Sequence, residues 1–218
     1  MNKSITTLLL SGCILTLLSG CSIQSSTSNS SHAEAASNTD YHKNYQANPQ
    51  VTDDRTLLNV GDEITDKLGY AKLKKANLKQ KSFEIGDIIL TIRDVKQVYL
   101  EPTYSMIDYF HVLTHEPTFD VVKSFVEITN NSDKTVHFSP VALLTSNTGQ
   151  KWTWEQDIYL DDLSGTIEPS QTKRGNIGYI LDEAHTSPTK YVLQTSDVFD
   201  EKENKIADSK KITLTLPE

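Results

Sequence analysis

Residues 124–151 read SFVEITNNSDKTVHFSPVALLTSNTGQK, and their periodicity sets the fold class. Val126 and Ile128, preceded by Val122, recur at every second position, as in a half-buried β-strand. The polar cluster NNSDK at 130–134 interrupts the run, after which Val136 and Phe138 resume the alternation. This spacing predicts two adjacent strands joined by a short polar turn. The same rhythm extends outward on both sides. Upstream, IILTIRDVKQV at 88–98 places Leu90 and Ile92 on one parity and Val95 on the other, which predicts a β-bulge near Arg93 and Asp94. Downstream, strands are expected over 141–145, 151–154, 174–181, 190–195 and 211–216, separated by Asn147-Thr148-Gly149, Glu168-Pro169, Ser187-Pro188 and Glu203-Asn204. Short strands at this spacing predict an all-β chain, a β-sandwich ahead of a barrel.

Three runs, FEIGDIILTIRDVKQV, SFVEITNNSDKTVHFSPVALLTSNTGQK and GTIEPSQTKRGNIGYIL, together resemble the telokin-like, immunoglobulin-fold domain of many Gram-positive surface lipoproteins of unknown function. The shared features are an alternating apolar strand, an N-x-S-D-K-x-hydrophobic turn, a T-x-x-G hairpin and a turn before a G-x-hydrophobic strand. The resemblance covers roughly residues 81–217 and departs at Glu168-Pro169-Ser170, where a Pro-Gly turn is usual. It implies an immunoglobulin-like β-sandwich over 81–218, an anchored binding or accessory role, and no catalytic residue.

The N-terminus supplies an expected address. Lys3 precedes an apolar run from Ile5 to Leu18, too short for a membrane-spanning helix, and Leu18-Ser19-Gly20-Cys21 resembles a lipoprotein lipobox. Residues 1–20 are therefore expected to be a signal peptide and Cys21 the lipidation site, with palmitate or related acyl chains holding the protein at the extracytoplasmic face of the cell membrane. Cys13, the other cysteine, would leave with the signal, so the mature chain would contain neither a disulfide nor a thiolate ligand. Residues 22–39, SIQSSTSNSSHAEAASNT, hold seven serines in eighteen positions and too few apolar groups to order themselves. A flexible tether is expected over 21–54, reaching roughly 30 Å from the membrane. Ala33-Glu34-Ala35 has the small-x-small look of a secondary cleavage site. Residues 55–80 are expected to form an N-terminal extension of the domain.

With 21 basic against 29 acidic residues, net −8, the chain lacks the basic stripe that nucleic acid requires. The segment 99–119, YLEPTYSMIDYFHVLTHEPTF, has five aromatic residues in twenty-one and breaks the strand rhythm. Met106, Ile107, Phe110 and Leu113 fall at helical spacing between Pro102 and Pro117, so a short helix is expected there. Aromatics on such an excursion are candidate contacts for a surface protein or glycan: Tyr99, Tyr104, Tyr109 and Phe110, joined by Trp152 and Trp154, which alternate around Thr153 on one expected strand.

Other chemistry is sparse. His111, His115 and Glu116 in HVLTHE supply two imidazoles and a carboxylate, short of the ligand count of a zinc site, and define the alternative of a metal-dependent envelope enzyme. His32 and His42 fall in the expected tether. Glu155, Asp157, Asp161 and Asp162 lack the offsets of an EF-hand and read as an exposed acidic loop. There is no Gly-x-Ser-x-Gly and no phosphate-cradling glycine loop. A non-enzymatic binding module without cofactor or metal is the leading expectation, with a sheet-edge chaperone or inhibitor of exported proteins as a further alternative.

Overall fold

A computed structural model describes residues 40–181 and 187–218. The expected signal peptide, Cys21 and the tether up to residue 39 lie outside the described residues, as does His185. In chain order the elements are β1 (Glu63–Thr65), β2 (Gly69–Asn77), β3 (Lys81–Ile85), β4 (Ile88–Ile92), β5 (Val95–Pro102), α1 (Tyr104–Phe110), β6 (Phe119–Asn130), β7 (Val136–Phe138) and β8 (Leu143–Ser146). They continue with β9 (Lys151–Trp152), β10 (Gly165–Ile167), β11 (Thr172–Ile180), β12 (Lys190–Gln194), β13 (Val198–Asp200), β14 (Lys205–Ala207) and β15 (Lys211–Thr215). The protein is all-β, and its strand pairs are antiparallel.

The long strand β6 organises the largest sheet, which runs β1-β2-β5-β6-β4-β3 with β11 on the other edge of β6. Two four-stranded sheets, β10-β7-β13-β14 and β15-β12-β8-β9, complete the set. Side chains on a strand alternate between faces, and β6 is buried on both. Val122, Val126 and Ile128 enter a core shared with residues of both smaller sheets, including Phe138, Trp152, Tyr191 and Ile212. The opposite parity, Phe119 and Val121, enters a second core with Leu73, Val98, Leu100 and Phe110.

The bulge read from the parity change is present. Both β4 and β5 pair with β6, and between Ile92↔Val126 and Lys96↔Lys123 the chain takes four steps against three on β6. Asp94 fills the gap in the ladder: its Oδ1 accepts the Phe125 N–H at 2.7 Å, and its backbone carbonyl accepts the Ser124 hydroxyl at 2.6 Å. As a result Ile88, Leu90 and Ile92 face the first core, whereas even-numbered Val98 and Leu100, beyond the bulge, face the second.

Other expectations are revised. β6 and β7 do not form a hairpin; β7 pairs with β10 and β13 in a different sheet. Asn130 makes the corner. Its fully buried amide donates to the carbonyls of Lys134, Ile167 and Glu168 and accepts from the Ser132 N–H and hydroxyl, satisfying backbone groups where the chain leaves β6. Residues 55–80 are part of the sheet rather than an extension, since β2 pairs with β5 over most of its length. Residues 41–54 are likewise packed rather than tether. Tyr41, His42, Asn48, Val51, Thr52 and Asp54 are buried, so a few anchors order a stretch whose average composition is polar. The helix α1 ends at Phe110, one turn earlier than the 106–113 spacing indicates, and Leu113 closes a turn on the Phe110 carbonyl.

Candidate functional site

The strap formed by residues 41–57 lies on the β5–β6 face and brings charge into the interior. Lys96 on β5 and Lys123 on β6 are directly paired and both are buried, an arrangement that two ammonium groups do not tolerate without a counter-ion. Asp54 supplies it: Lys123 Nζ donates to its Oδ1 at 2.8 Å and Oδ2 at 3.0 Å, and Lys96 Nζ to Oδ2 at 3.0 Å and to its backbone carbonyl at 2.9 Å. Burial opposes ionisation of Asp54, but the two lysines outweigh it and hold the carboxyl well below the ordinary range. Tyr41 donates to Asp94 Oδ2 at 2.8 Å, beside the bulge. Its phenol is pushed up, first by burial and then by the Asp94 charge. His42 packs edge-on to Phe125, ring centroids 4.6 Å apart, and burial together with Lys123 lowers its pKa to about 4.

A second segment, 157–163, crosses β11. Ile158 N–H donates to the Gly178 carbonyl at 2.9 Å, Asp157 Oδ1 accepts the Gly178 N–H at 2.9 Å, and Asp161 Oδ2 accepts the Asn176 N–H at 2.8 Å. The approach depends on two residues without side chains. A Cβ at Gly175 would stand 2.6 Å from Asp161 Oδ2, and one at Gly178 2.6 Å from Tyr159 Cε2. The strap pins this segment from above, with Tyr45 donating to Asp161 Oδ2 at 2.7 Å and Asn48 to the Tyr159 carbonyl at 2.6 Å.

The expected aromatic contacts divide on this scaffold. Phe110 is 3% exposed in the second core and holds α1 to the sheet, and Tyr109 is half-buried with its hydroxyl on the Ile158 carbonyl at 2.6 Å, which ties α1 to the 157–163 segment. Tyr99 is half-buried beside Tyr70 at 6.2 Å between ring centroids. Tyr104, 92% exposed, is the one of the four that stands in solvent. The two tryptophans do not share a face. β9 ends at Trp152, which is buried with its indole N–H on the Ile180 carbonyl at 2.9 Å, and the chain then turns into a short 3-10 helix that leaves Trp154 60% exposed.

His111 and His115 stand with ring centroids 6.0 Å apart, and among the described residues no three His, Cys, Asp or Glu side chains converge as metal ligands. His42 is buried in the strap and joins neither. The acids of 155–162, expected as an exposed loop, separate: Glu155 and Asp162 face solvent, while Asp157 and Asp161 bind backbone N–H groups of β11. Burial, with a smaller push from the Asp161 charge, raises the Asp157 carboxyl to about 7.

A groove of about 460 Å³ lies between the α1–β6 connection and β9. Its floor is Phe119, Trp152 and Leu181, and Thr114, Glu116, Gln150, Lys151 and Gln156 stand on its walls. Gln150 Oε1 is buried there with no hydrogen-bond partner, although the backbone of Gln150 is fixed against Ser146 by bonds of 2.9 and 3.0 Å. A stranded acceptor costs about 1–3 kcal/mol until something donates to it. Gln150, Gln156 and Asp157 carry the recesses and were not legible as a set, because single amides and acids in turns have no periodicity. Glu116, which belongs to the metal-enzyme alternative, stands on the groove wall.

Fold and recess together define an all-β domain with a clamped N-terminal strap and a polar-walled groove. No family model matches the chain. It is 41% identical over 223 residues to YdhF, an uncharacterized protein of Bacillus subtilis strain 168, the alignment covering 91% of this chain and 94% of that one. The chain belongs to the YdhF family. Among solved structures it is similar to a functionally unknown protein of Listeria monocytogenes, at 13% identity and TM-score 0.49, covering 68% of this chain and 88% of that one. It is also similar to the yjhA protein of Bacillus subtilis, at 14% identity and TM-score 0.39, covering 62% and 95%.

Proposed function

We propose that the protein is a lipid-anchored binding module of the extracytoplasmic membrane face, built as an immunoglobulin-like sandwich, and that the groove beside β9 is where it takes hold of another surface or envelope component. The observation that carries the reading is the buried, unpartnered Gln150 Oε1 in a groove with an aromatic and aliphatic floor. A floor of this kind provides contact area, and a few fixed polar groups on the wall provide orientation, as in binding clefts generally. Glu116 and Lys151 place one charge of each sign on the walls, which suits a neutral, hydrogen-bonding ligand such as a peptide backbone or a glycan. The sandwich is supported by the first core, in which the large sheet faces residues of both smaller sheets. The address is supported by Leu18-Ser19-Gly20-Cys21.

The test has two parts. Cells fed an alkyne fatty acid should label the protein through Cys21, and Cys21→Ala should abolish both the label and membrane sedimentation; a labelled Cys21→Ala protein would remove the anchor. A photo-crosslinking amino acid in place of Lys151 should trap a discrete surface component on intact cells. Gln150→Leu and Glu116→Ala should weaken that product at least tenfold while leaving Tm within a few degrees. An undiminished product in both variants would remove the groove from the reading.

A further inference from the structure

On the other side of the 152–156 turn is a smaller recess of about 260 Å³, below the ordinary range for drug-sized ligands and large enough for a side-chain-sized group. Its walls are mainly apolar, among them Leu160, Leu163, Ile177 and Tyr179, with Asp161 and Asp162 at the same recess, and the exposed Trp154 stands beside them. Leu160 is 64% exposed and holds a left-handed backbone at φ +51°, a conformation that a branched apolar residue adopts at a cost. Asp157 also lines the recess. Its Oδ1 accepts the N–H groups of Tyr159 and Gly178 at 3.0 and 2.9 Å, while its Oδ2 receives no hydrogen bond from any described residue.

The other charges nearby are engaged in part. Asp161 Oδ2 accepts from Tyr45 and from the Asn176 N–H, and Asp162 pairs with Lys173 at 3.3 Å. Lys173 also reaches the Ser164 carbonyl at 3.2 Å, and none of the residues lining the recess is basic. Tyr109 lies behind the segment with its hydroxyl on the Ile158 carbonyl. What is left is a pair of half-buried carboxylate oxygens, Asp157 Oδ2 and Asp161 Oδ1, beside apolar walls and an exposed indole.

We propose that this recess binds an organic ammonium group, with the Asp157 carboxylate as its counter-ion, the Trp154 indole as a cation–π face and the Leu160–Tyr179 walls around its alkyl stem. An ammonium group meets each requirement of the site: it donates hydrogen bonds to the free carboxylate oxygens, it neutralises a charge that burial penalises, and it is attracted to an indole face within about 6 Å. A neutral alcohol meets the apolar walls only, and an anion would meet Asp157 and Asp161 as like charges. The raised carboxyl of Asp157 adds a signature, since a cation binds the ionised form and would lower its pKa on binding. The site is separate from the groove beside β9 and stands or falls without it.

The test uses the indole N–H resonance of Trp154 in the folded chain, titrated with n-butylammonium, with 1-butanol as a neutral control, and with Nα-acetyl-lysine methylamide as a peptide-borne ammonium. At pH 8 the expected result is saturable binding of n-butylammonium, at least tenfold weaker binding of butanol, and at least tenfold weakening of the ammonium at pH 5.5. Asp157→Asn, which keeps an Oδ1 acceptor for both backbone N–H groups, should lose the binding and keep or raise Tm. Trp154→Ala provides a second variant, read by the Leu160 methyl resonances, and should weaken binding without unfolding the protein. A response to acetyl-lysine methylamide as strong as that to butylammonium identifies a protein-borne lysine as the source, and a tenfold weaker one a free amine. Equal binding of butanol and butylammonium, unchanged affinity in Asp157→Asn, or no saturable shift would overturn the proposal.

Discussion

Asp54 holds Lys123 with both of its carboxylate oxygens, at 2.8 and 3.0 Å, across 69 positions of sequence and in a site closed to solvent. The strap is thereby fastened to the sheet by a charge that the sheet itself requires. A segment resembling the end of a linker thus becomes part of the folded domain.

Asp54→Asn should be among the most destabilising single changes in the chain. The variant keeps the shape of the side chain and leaves Lys96 and Lys123 facing each other without an anion, for which a cost of about 3–5 kcal/mol is expected. Urea unfolding at pH 7 measures it. Lys123→Met should cost less, because Asp54 keeps its contacts with Lys96; the reverse order would show that the ion group does not hold the strap.

His42 should make the strap sensitive to acid. Burial depresses its pKa from the ordinary value near 6.5 to about 4, so the unfolded chain takes up a proton between those values and the folded chain does not. Its contribution is therefore constant above pH 6.5 and is lost as pH falls towards 4. Asp157, raised to about 7, acts in the opposite sense, costing stability as pH rises from about 4 to 7. The quantity to read is consequently the difference in unfolding free energy between wild type and His42→Phe, which should be flat above pH 6.5 and move in favour of the variant below it. A difference independent of pH would refute the assignment.

The aromatic segment should separate cleanly by position. Phe110→Ala removes a ring from the second core and should cost about 3–5 kcal/mol. Tyr104→Ala, six residues earlier on the exposed face of α1, should change stability by less than about 0.5 kcal/mol. Thermal unfolding of the two variants side by side is sufficient.

Gly178→Ala should loosen the 157–163 segment. The added carbon would stand 2.6 Å from the Tyr159 ring, and relief requires moving the segment off β11 or the strand off β6, at about 1–3 kcal/mol. Faster amide exchange at Ile158 and Gly178 than in wild type would locate the change; unaltered exchange would place the strain elsewhere.

Much of this architecture was legible residue by residue. The parity change between Ile92 and Val95 located the bulge, and Asp94 proved to be the residue that completes it. The alternation through 122–128 and 136–138 located β6 and β7, yet not that they belong to different sheets, since a polar turn of given length serves a hairpin or a corner equally. Trp152 and Trp154 share a parity, but parity carries meaning only while the strand lasts, and β9 ends between them.

The binding recesses lie further from what sequence can express. Gln150 and Asp157 are ordinary turn residues until the fold removes water from one amide oxygen and surrounds one carboxylate with apolar walls. Nor does anything in ANPQVTDD announce that Asp54 will meet two lysines from 42 and 69 residues away. Alternation, turn chemistry and the lipobox pattern are properties of neighbouring residues and can be read along the chain. Which strand edges meet, which polar stretch is captured as a strap and which charges are buried together depend on contacts between distant segments, whose energies exist only after the sheets have assembled.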